Sequence, residues 1–331
     1  MPTNLPPEYA KIEERYRAAT EVPEKIMYLE EMLSVIPKHK GTDHLRADLR
    51  RKLSKLKETA ASRKGGSRQV SPFQIEKEGA GQVAVVGPPN VGKSSLVDAL
   101  TNADVEIGAY PYSTALPVPG MMMYENVSIQ LVDTPPLSAE FEEPQLMHLI
   151  RLSDLVCLVI DLQGTPIQQF EDSLALMKEH RIIPQQYREH YDADQQSRLV
   201  FKPMMVVVNK TDDEGHDDDF SVLCELLEEV PCALLPISAQ NGRNLDTFRR
   251  IVFERLDIVR VYSKPPGKDP NLNAPFVMKR GGTVENFAEK VHKDFVEKLR
   301  SARVWGYGVF EGQKVGRDHV LHDGDVVELK T

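Results

Sequence analysis

From residue 82 onward, short apolar runs alternate with polar, glycine-bearing turns and helical stretches: Val83 to Val86, Val127 to Val132, Leu155 to Ile160, Met204 to Val208 and Ala233 to Ile237. Each run is apolar at consecutive positions rather than at alternate ones, which predicts strands buried on both faces. Such strands, joined by helices, build a largely parallel, doubly wound α/β sheet. Ahead of it the period is helical. Tyr9, Ile12 and Tyr16 suggest one short helix and Ile26, Leu29, Met32 and Leu33 a second, separated near Pro23. Leu45, Leu49, Leu53 and Leu56 form an apolar stripe on a third, which Thr42 or Asp43 can cap. Behind the sheet, Ser263 to Pro275 holds four prolines and predicts a stiff, extended linker. A small α+β unit follows: Phe276 to Met278, a Gly281-Gly282 turn, a helix with Phe287, Val291, Phe295 and Leu299 on one face, then Arg303 to Trp305 and Val326 to Leu329. The expected organisation is a helical region over 1–68, an α/β domain over 69–262, a linker over 263–274 and a C-terminal unit over 275–331.

Charge sharpens this division. Residues 1–68 carry 15 Lys/Arg and 10 Asp/Glu, and Ile36 to Arg68 alone carries 11 basic residues against 3 acidic, whereas the whole chain has a net charge of −9. The opening is a basic appendage on an acidic protein, so any attraction to nucleic acid must be local. Arg46, Arg50, Arg51 and Lys57 fall mostly off the leucine stripe, which predicts an outward basic face. With 331 residues, 41% hydrophobic and 27% charged, the chain has a globular balance that excludes pervasive disorder. No apolar run approaches the ~18 residues of a membrane span, and the first ten residues lack a signal-peptide pattern, so a soluble, cytoplasmic protein is expected. Cys157, Cys224 and Cys232 have no paired spacing and read as free thiols.

The chemistry begins at Gly87-Pro-Pro89-Asn90-Val91-Gly92-Lys93-Ser94, directly after an apolar run and before the helical Ser95 to Leu100. This is the G-x-x-x-x-G-K-[ST] phosphate loop in its strand-to-helix context. Its glycines let the backbone wrap a β-phosphate, Lys93 bridges β- and γ-phosphates, and the Ser94 hydroxyl ligates Mg²⁺. Asn209-Lys210-Thr211-Asp212 sits at the end of another apolar run. The Asp212 carboxylate can accept both N1–H and the exocyclic amine of guanine, a pair that adenine does not offer. Asn209 can bond N7, the Lys210 stem can lie over the ring, and the Ala239 N–H of Ser238-Ala239 can donate to O6. Asp133, ending Val127 to Val132, would hold Mg²⁺ through water. Thr114, in Tyr110-Pro-Tyr-Ser-Thr-Ala-Leu-Pro117, would ligate the ion directly and position the attacking water. Ser113 is its adjacent competitor. His292, His319 and His322 fit no metal spacing and read as structural, and Asp213 to Asp219 reads as a solvated loop rather than a calcium site.

These five motifs in order, with YPYSTALPVPG as the second, resemble the Obg and developmentally regulated group of GTP-binding proteins. The C-terminal segments FVMKRGGTV, VHKD, ARVWG and DHVL resemble the TGS domain, a ubiquitin-like β-grasp module. The resemblance covers most of the chain. It implies a Mg²⁺-dependent, slow GTPase whose appendages meet the ribosome, RNA or a translation-linked protein. It also aligns Asn90 with the asparagine that holds K⁺ in potassium-stimulated relatives.

Two departures stand out. The third motif should read D-x-x-G, but here it is Asp133-Thr134-Pro135-Pro136, and Pro136 has no N–H for a γ-phosphate. Leu137 stands where Ras-like enzymes place a water-orienting glutamine. The glycine-rich stretch that follows this motif in the developmentally regulated group is missing, and Asp161 to Lys202 leaves no room for that group's inserted small domain. Hydrolysing GTPase and non-hydrolysing guanine-nucleotide scaffold therefore both remain open from sequence, while an ATP-driven enzyme is disfavoured by Asn209 to Asp212.

Overall fold

The computed structural model describes residues 7–18, 22–36, 45–46, 49–53, 71–101, 116–138, 144–228 and 230–330. Two compact units divide the chain, Met1–Ser71 and Pro72–Thr331. In the first, helices Pro7–Ala18 and Val22–Val35 follow one another, with Pro23 in the first turn of the second, where its missing N–H costs nothing. Tyr9, Ile12, Leu29, Met32, Ile36 and Leu49 form its buried cluster. Residues 49–53 are helical, with Arg50, Arg51 and Lys52 exposed. Arg46 departs from the outward basic face expected of it. Its guanidinium donates to the carbonyls of Leu33 at 3.3 Å and Ile36 at 2.6 Å, satisfying acceptors at the end of the preceding helix. Thr42, Asp43, Leu56 and Lys57 lie outside the described residues.

The second unit is built on a six-stranded sheet. Its strands are β1 (Gln82–Val86), β2 (Val118–Tyr124), β3 (Val127–Asp133) and β4 (Leu155–Asp161), with β5 (Ile182–Pro184) and β6 (Val200–Lys202) forming a separate parallel pair. β7 (Met204–Asn209) and β8 (Leu234–Pro236) complete it in the order β2-β3-β1-β4-β7-β8. Only β2 runs antiparallel to its neighbour. Consecutive residues of β1 pack into different cores, Val83 and Val85 on one face and Ala84 and Val86 on the other, which is why the strand is apolar throughout. Register places functional ends side by side: Val85 pairs with Asp133, and Asp161 with Asn209. Buried Gln82 and Gln130 bond each other at 2.8 Å, and their amides also hold the carbonyls of Ile75 and Glu76.

The C-terminal sheet contains β9 (Ile258–Ser263), β10 (Phe276–Lys279), β11 (Ser301–Trp305), β12 (Gln313–Val315) and β13 (Val326–Lys330), in the order β10-β9-β13-β11-β12. The boundary expected at residue 262 is thereby corrected. β9 pairs with β10 and β13, so 263–274 connects two strands of one sheet rather than linking two domains. The helix expected around Phe287 to Leu299 is also two helices, Val284–Val291 and Lys293–Lys298. His292 adopts an extended backbone between them, and its Nδ1 accepts the Asp294 N–H at 3.2 Å.

At the junction of the two sheets, Arg260 on β9 makes a two-pronged pair with Asp323, Nε to Oδ1 at 3.0 Å and Nη2 to Oδ2 at 2.7 Å. It also bonds Glu125 at the tip of the β2–β3 hairpin and lies 4.9 Å from the centre of the Phe253 ring. Beside it Asn126 donates to the Tyr262 hydroxyl at 2.7 Å and the Leu272 carbonyl at 2.9 Å. The hydrogen bonds that Arg260 donates to the Asp323 and Glu125 carboxylates outweigh partial burial and push its pKa upward. All three cysteines are free thiols. Burial pushes Cys232 up to about 11 and Cys157 in the same direction. Among the described residues no helix is long and apolar enough to cross a membrane, and no group of His, Cys, Asp or Glu is arranged to hold a metal by itself.

Candidate guanine-nucleotide site

β1 ends at Val86, and the chain turns through Pro89, Asn90 and Val91 before Lys93 opens the helix Lys93–Leu100. Three turn residues have positive φ: Gly87 at 149°, Asn90 at 62° and Gly92 at 88°. The glycines are required for space as well. A Cβ on Gly87 would stand 2.2 Å from the Val159 carbonyl oxygen, and one on Gly92 would stand 2.3 Å from Asn209 Nδ2. The loop therefore offers backbone N–H groups and a helix N-terminus to an anion, with Ser94 and Ser95 in the first turn. Lys93 is 6% exposed, and its ammonium donates to the carbonyls of Gly87 at 3.0 Å and Pro88 at 2.8 Å. Burial lowers its pKa to about 8, against an upward pull from Asp133. The Ser94 hydroxyl donates to Asp133 Oδ2 at 2.6 Å, so a hydroxyl and a carboxylate converge as the hard oxygen donors that Mg²⁺ prefers.

A second cluster forms at the ends of β7 and β8. Asn209 is buried and bridges the two loops, with Nδ2 donating to the Val91 carbonyl at 2.9 Å and Oδ1 accepting the Ala239 N–H at 3.1 Å. Its main contact in the protein is thus to the phosphate loop, leaving one amide hydrogen for a base. The Ala239 N–H, expected to face O6, is engaged by this side chain. Lys210, at φ 65°, pairs its ammonium with Asp161 at 2.6 Å, while Gln163 donates to its carbonyl at 3.0 Å. The Ser238 hydroxyl donates to Asp212 Oδ1, which orients the carboxylate and leaves Oδ2 unclaimed by any hydrogen bond among the described residues. Thr211 anchors the loop from below through Ile237. Asp161, Gln163, Asn241 and Arg243 are additional residues around this cluster that the motifs do not reveal; only the run Asn241-Gly-Arg-Asn244 after Ser238-Ala239 hints at a structured turn.

The third motif is anchored. The Thr134 hydroxyl donates to the Val85 carbonyl at 2.8 Å, and Pro136 and Leu137 are buried. Leu137 belongs to the buried apolar cluster that also holds Leu146, Met147 and Phe170. Its N–H, the first main-chain donor after the two prolines, bonds the Gly87 carbonyl at 3.0 Å. Leucine at this position is therefore a core residue, and neither Pro136 nor Leu137 presents a main-chain donor to a phosphate in this arrangement. Thr114 and its competitor Ser113 lie outside the described residues.

A glycine-framed phosphate loop and an Asn-Lys-x-Asp loop, brought together at strand ends of a doubly wound sheet, define a P-loop GTPase. The family profile of 50S ribosome-binding GTPases matches residues 82–210, and that of the TGS domain matches residues 259–331. A GTP-binding protein of Methanocaldococcus jannaschii is 32% identical, the alignment covering 93% of this chain and 92% of that one. Ribosome-interacting GTPase 1 of Saccharomyces cerevisiae is 27% identical over 92% of this chain and 98% of its own, as is developmentally-regulated G-protein 3 of Arabidopsis thaliana. The chain belongs to the Obg and developmentally regulated family of GTP-binding proteins that carry a C-terminal TGS domain. The archaeal alignment runs over 363 positions, more than the 331 residues here, so that relative has residues without a counterpart in this chain. A solved GTP-binding protein from Pyrococcus horikoshii shares the fold, with a TM-score of 0.52 and 17% identity over 76% of this chain and 99% of that one.

Proposed function

We propose that this chain binds GTP and GDP with Mg²⁺, hydrolyses GTP slowly, and serves in the cytoplasm as an accessory factor contacting ribosomal RNA. The observation that carries the reading is the Asn209 bridge from Val91 to Ala239, which ties a phosphate cradle to a guanine-reading loop at one sheet edge. Pro89 to Ser95 surround the phosphates, with Lys93 leaving its two carbonyls for the β- and γ-phosphoryl oxygens. Asp212, aided by Asn209, Lys210 and Ser238, reads the base, with the Ala239 N–H holding Asn209 in place. Ser94, Asp133 and Thr114 would hold Mg²⁺, which when bound neutralises charge on the transferring phosphoryl group. Thr114 also positions the attacking water through its backbone. Lys93 stabilises charge that develops as that water attacks.

Slow turnover follows from the third motif. With no N–H on Pro136 and the Leu137 N–H spent on Gly87, this loop adds no main-chain donor to the transition state. A monovalent cation can supply the missing charge if Asn90 holds K⁺ beside the phosphates. The exposed Asn90, at φ 62°, equally fits a residue that shapes the turn. Phosphate release in matched KCl and NaCl separates the two. Faster release in KCl, lost in Asn90→Ala, is the expected result, and equal rates in both salts remove K⁺ from the account. No release from GTP above a Lys93→Ala control would favour the scaffold reading.

The RNA reading is supported by two surfaces. In the TGS domain, Arg303 and Lys314 face each other across β11 and β12 and are exposed, Lys264 lies 5.6 Å from the Trp305 ring centre, and Tyr307 and Phe310 are 74% and 86% exposed. Cations interleaved with aromatic faces suit phosphate contact and base stacking. In the first unit, Arg50 and Lys52 are exposed on the basic helix. Arg50→Glu with Lys52→Glu, and Arg303→Glu with Lys314→Glu, should each weaken co-sedimentation with ribosomes while leaving GDP affinity intact. Binding by the parent chain should fall with salt at a log-log slope of about −0.7 per single-stranded phosphate neutralised. Retention independent of salt and of both double changes would indicate a protein partner instead.

A further inference from the structure

The loop that follows Ser238-Ala239 grips the guanine-reading loop by its main chain. Three successive carbonyls are held: Arg243 Nη1 donates to Thr211 O at 3.3 Å and to Asp213 O at 3.2 Å, and Asn241 Nδ2 donates to Asp212 O at 2.7 Å. The gripping residues are themselves fixed. Arg243 Nη2 pairs with Asp217 Oδ1 at 2.6 Å, in the first turn of the helix Gly215–Leu226, and the Arg243 N–H donates to Asn241 Oδ1 at 3.0 Å. The Asn241 N–H donates to the Ser238 hydroxyl oxygen at 3.2 Å, and that same hydroxyl donates to the Asp212 carboxylate. Both the backbone beneath Asp212 and its carboxylate are thus set from one short turn. All three bonds are made to main-chain carbonyls, so none of them occupies the Asp212 carboxylate itself. Two hydrogen bonds from guanine to one carboxylate demand a coplanar approach, and only a held backbone provides it without ordering the loop at the moment of binding.

We propose that Asn241 and Arg243 are positioning residues for base discrimination, acting as a carbonyl clamp that aligns Asp212 with the N1–H and exocyclic amine of guanine. The proposal rests on the guanine reading of this site. Hypoxanthine keeps the N1–H and lacks the amine, so the ratio of GDP to IDP affinity reports alignment of the second bond, whereas a general loss of loop order lowers both affinities together.

The test is titration calorimetry of the full chain with GDP and with IDP, for the parent, Arg243→Ala, Asn241→Ala and Arg243→Lys, with melting temperatures beside them. The parent should favour GDP by about tenfold or more, the worth of one charge-assisted bond. Arg243→Ala should cut that ratio several-fold, and Arg243→Lys, which keeps a cationic donor near the two carbonyls, should recover part of it. Asn241 is exposed, so Asn241→Ala should fold normally and still lower the ratio. If both alanine variants keep the parent's ratio while the parent favours GDP, the clamp has no positioning role and the proposal is overturned. If the parent itself shows no preference for GDP over IDP, the guanine reading fails first and the proposal falls with it.

Discussion

Asp212→Asn should lower affinity for GTP by on the order of a hundredfold or more and raise affinity for xanthosine triphosphate. On the proposed reading the carboxylate would accept two donors from one guanine edge, and charge-assisted bonds of this kind are worth about 1.5 to 3 kcal/mol each. The asparagine amide keeps one acceptor and places a donor where guanine also has a donor, so one bond is lost and a repulsion replaces it. Xanthine presents a 2-oxo acceptor to that donor, which reverses the preference. The geometry favours a clean result. Ser238 still has a side-chain partner at 212, and Asn241 and Arg243 bond only main-chain carbonyls there, so the substitution leaves the loop's support in place. Competition of GTP and XTP for a fluorescent GDP analogue measures the shift, and an unchanged ratio of the two would remove Asp212 from base recognition.

Lys93→Ala should reduce single-turnover phosphate release by about 10²- to 10³-fold, the usual cost of removing one preorganised donor from a transition state. A further consequence is local. The Lys93 ammonium ties the carbonyls of Gly87 and Pro88 together, so its loss also frees the turn that wraps the phosphates. Nucleotide affinity should therefore fall along with turnover. Asp133 remains within reach of Ser94 in this variant, and the melting temperature should stay close to that of the parent because β1 and the helix Lys93–Leu100 keep their buried apolar residues. Release that persists at the parent's rate in a folded Lys93→Ala protein would show that the lysine does not stabilise the reacting phosphoryl group.

The strands that line the site were legible because burial on both faces leaves an unbroken apolar record, as in β1, β4 and β7. β2 escaped notice because Pro119 and Gly120 interrupt it and three methionines carry no strand signature. It is an antiparallel edge strand, where proline is tolerated. β9 was not read as a strand at all, and its residues were assigned to the α/β domain. Val259 and Val261 point into the C-terminal core and Ile258 into the first, and alternation along one strand cannot say which partner lies beside it. Charge was legible and direction was not, as Arg46 demonstrates by turning onto a helix end. The phosphate and guanine motifs announced themselves because their chemistry resides in side-chain identity at fixed spacing. Asn241 and Arg243 did not, since the groups they grip over 211–213 are backbone carbonyls, which every residue has and which only folding brings within reach.

The most direct measurement is phosphate release from GTP and from ATP, with Mg²⁺, by the purified full chain against a Lys93→Ala control. Slow release from GTP clearly above the control, with ATP indistinguishable from it, is the predicted result. Equal release from both nucleotides, a preference for ATP, or GTP that is bound and never cleaved would contradict the conclusion that this site is a guanine-specific hydrolase.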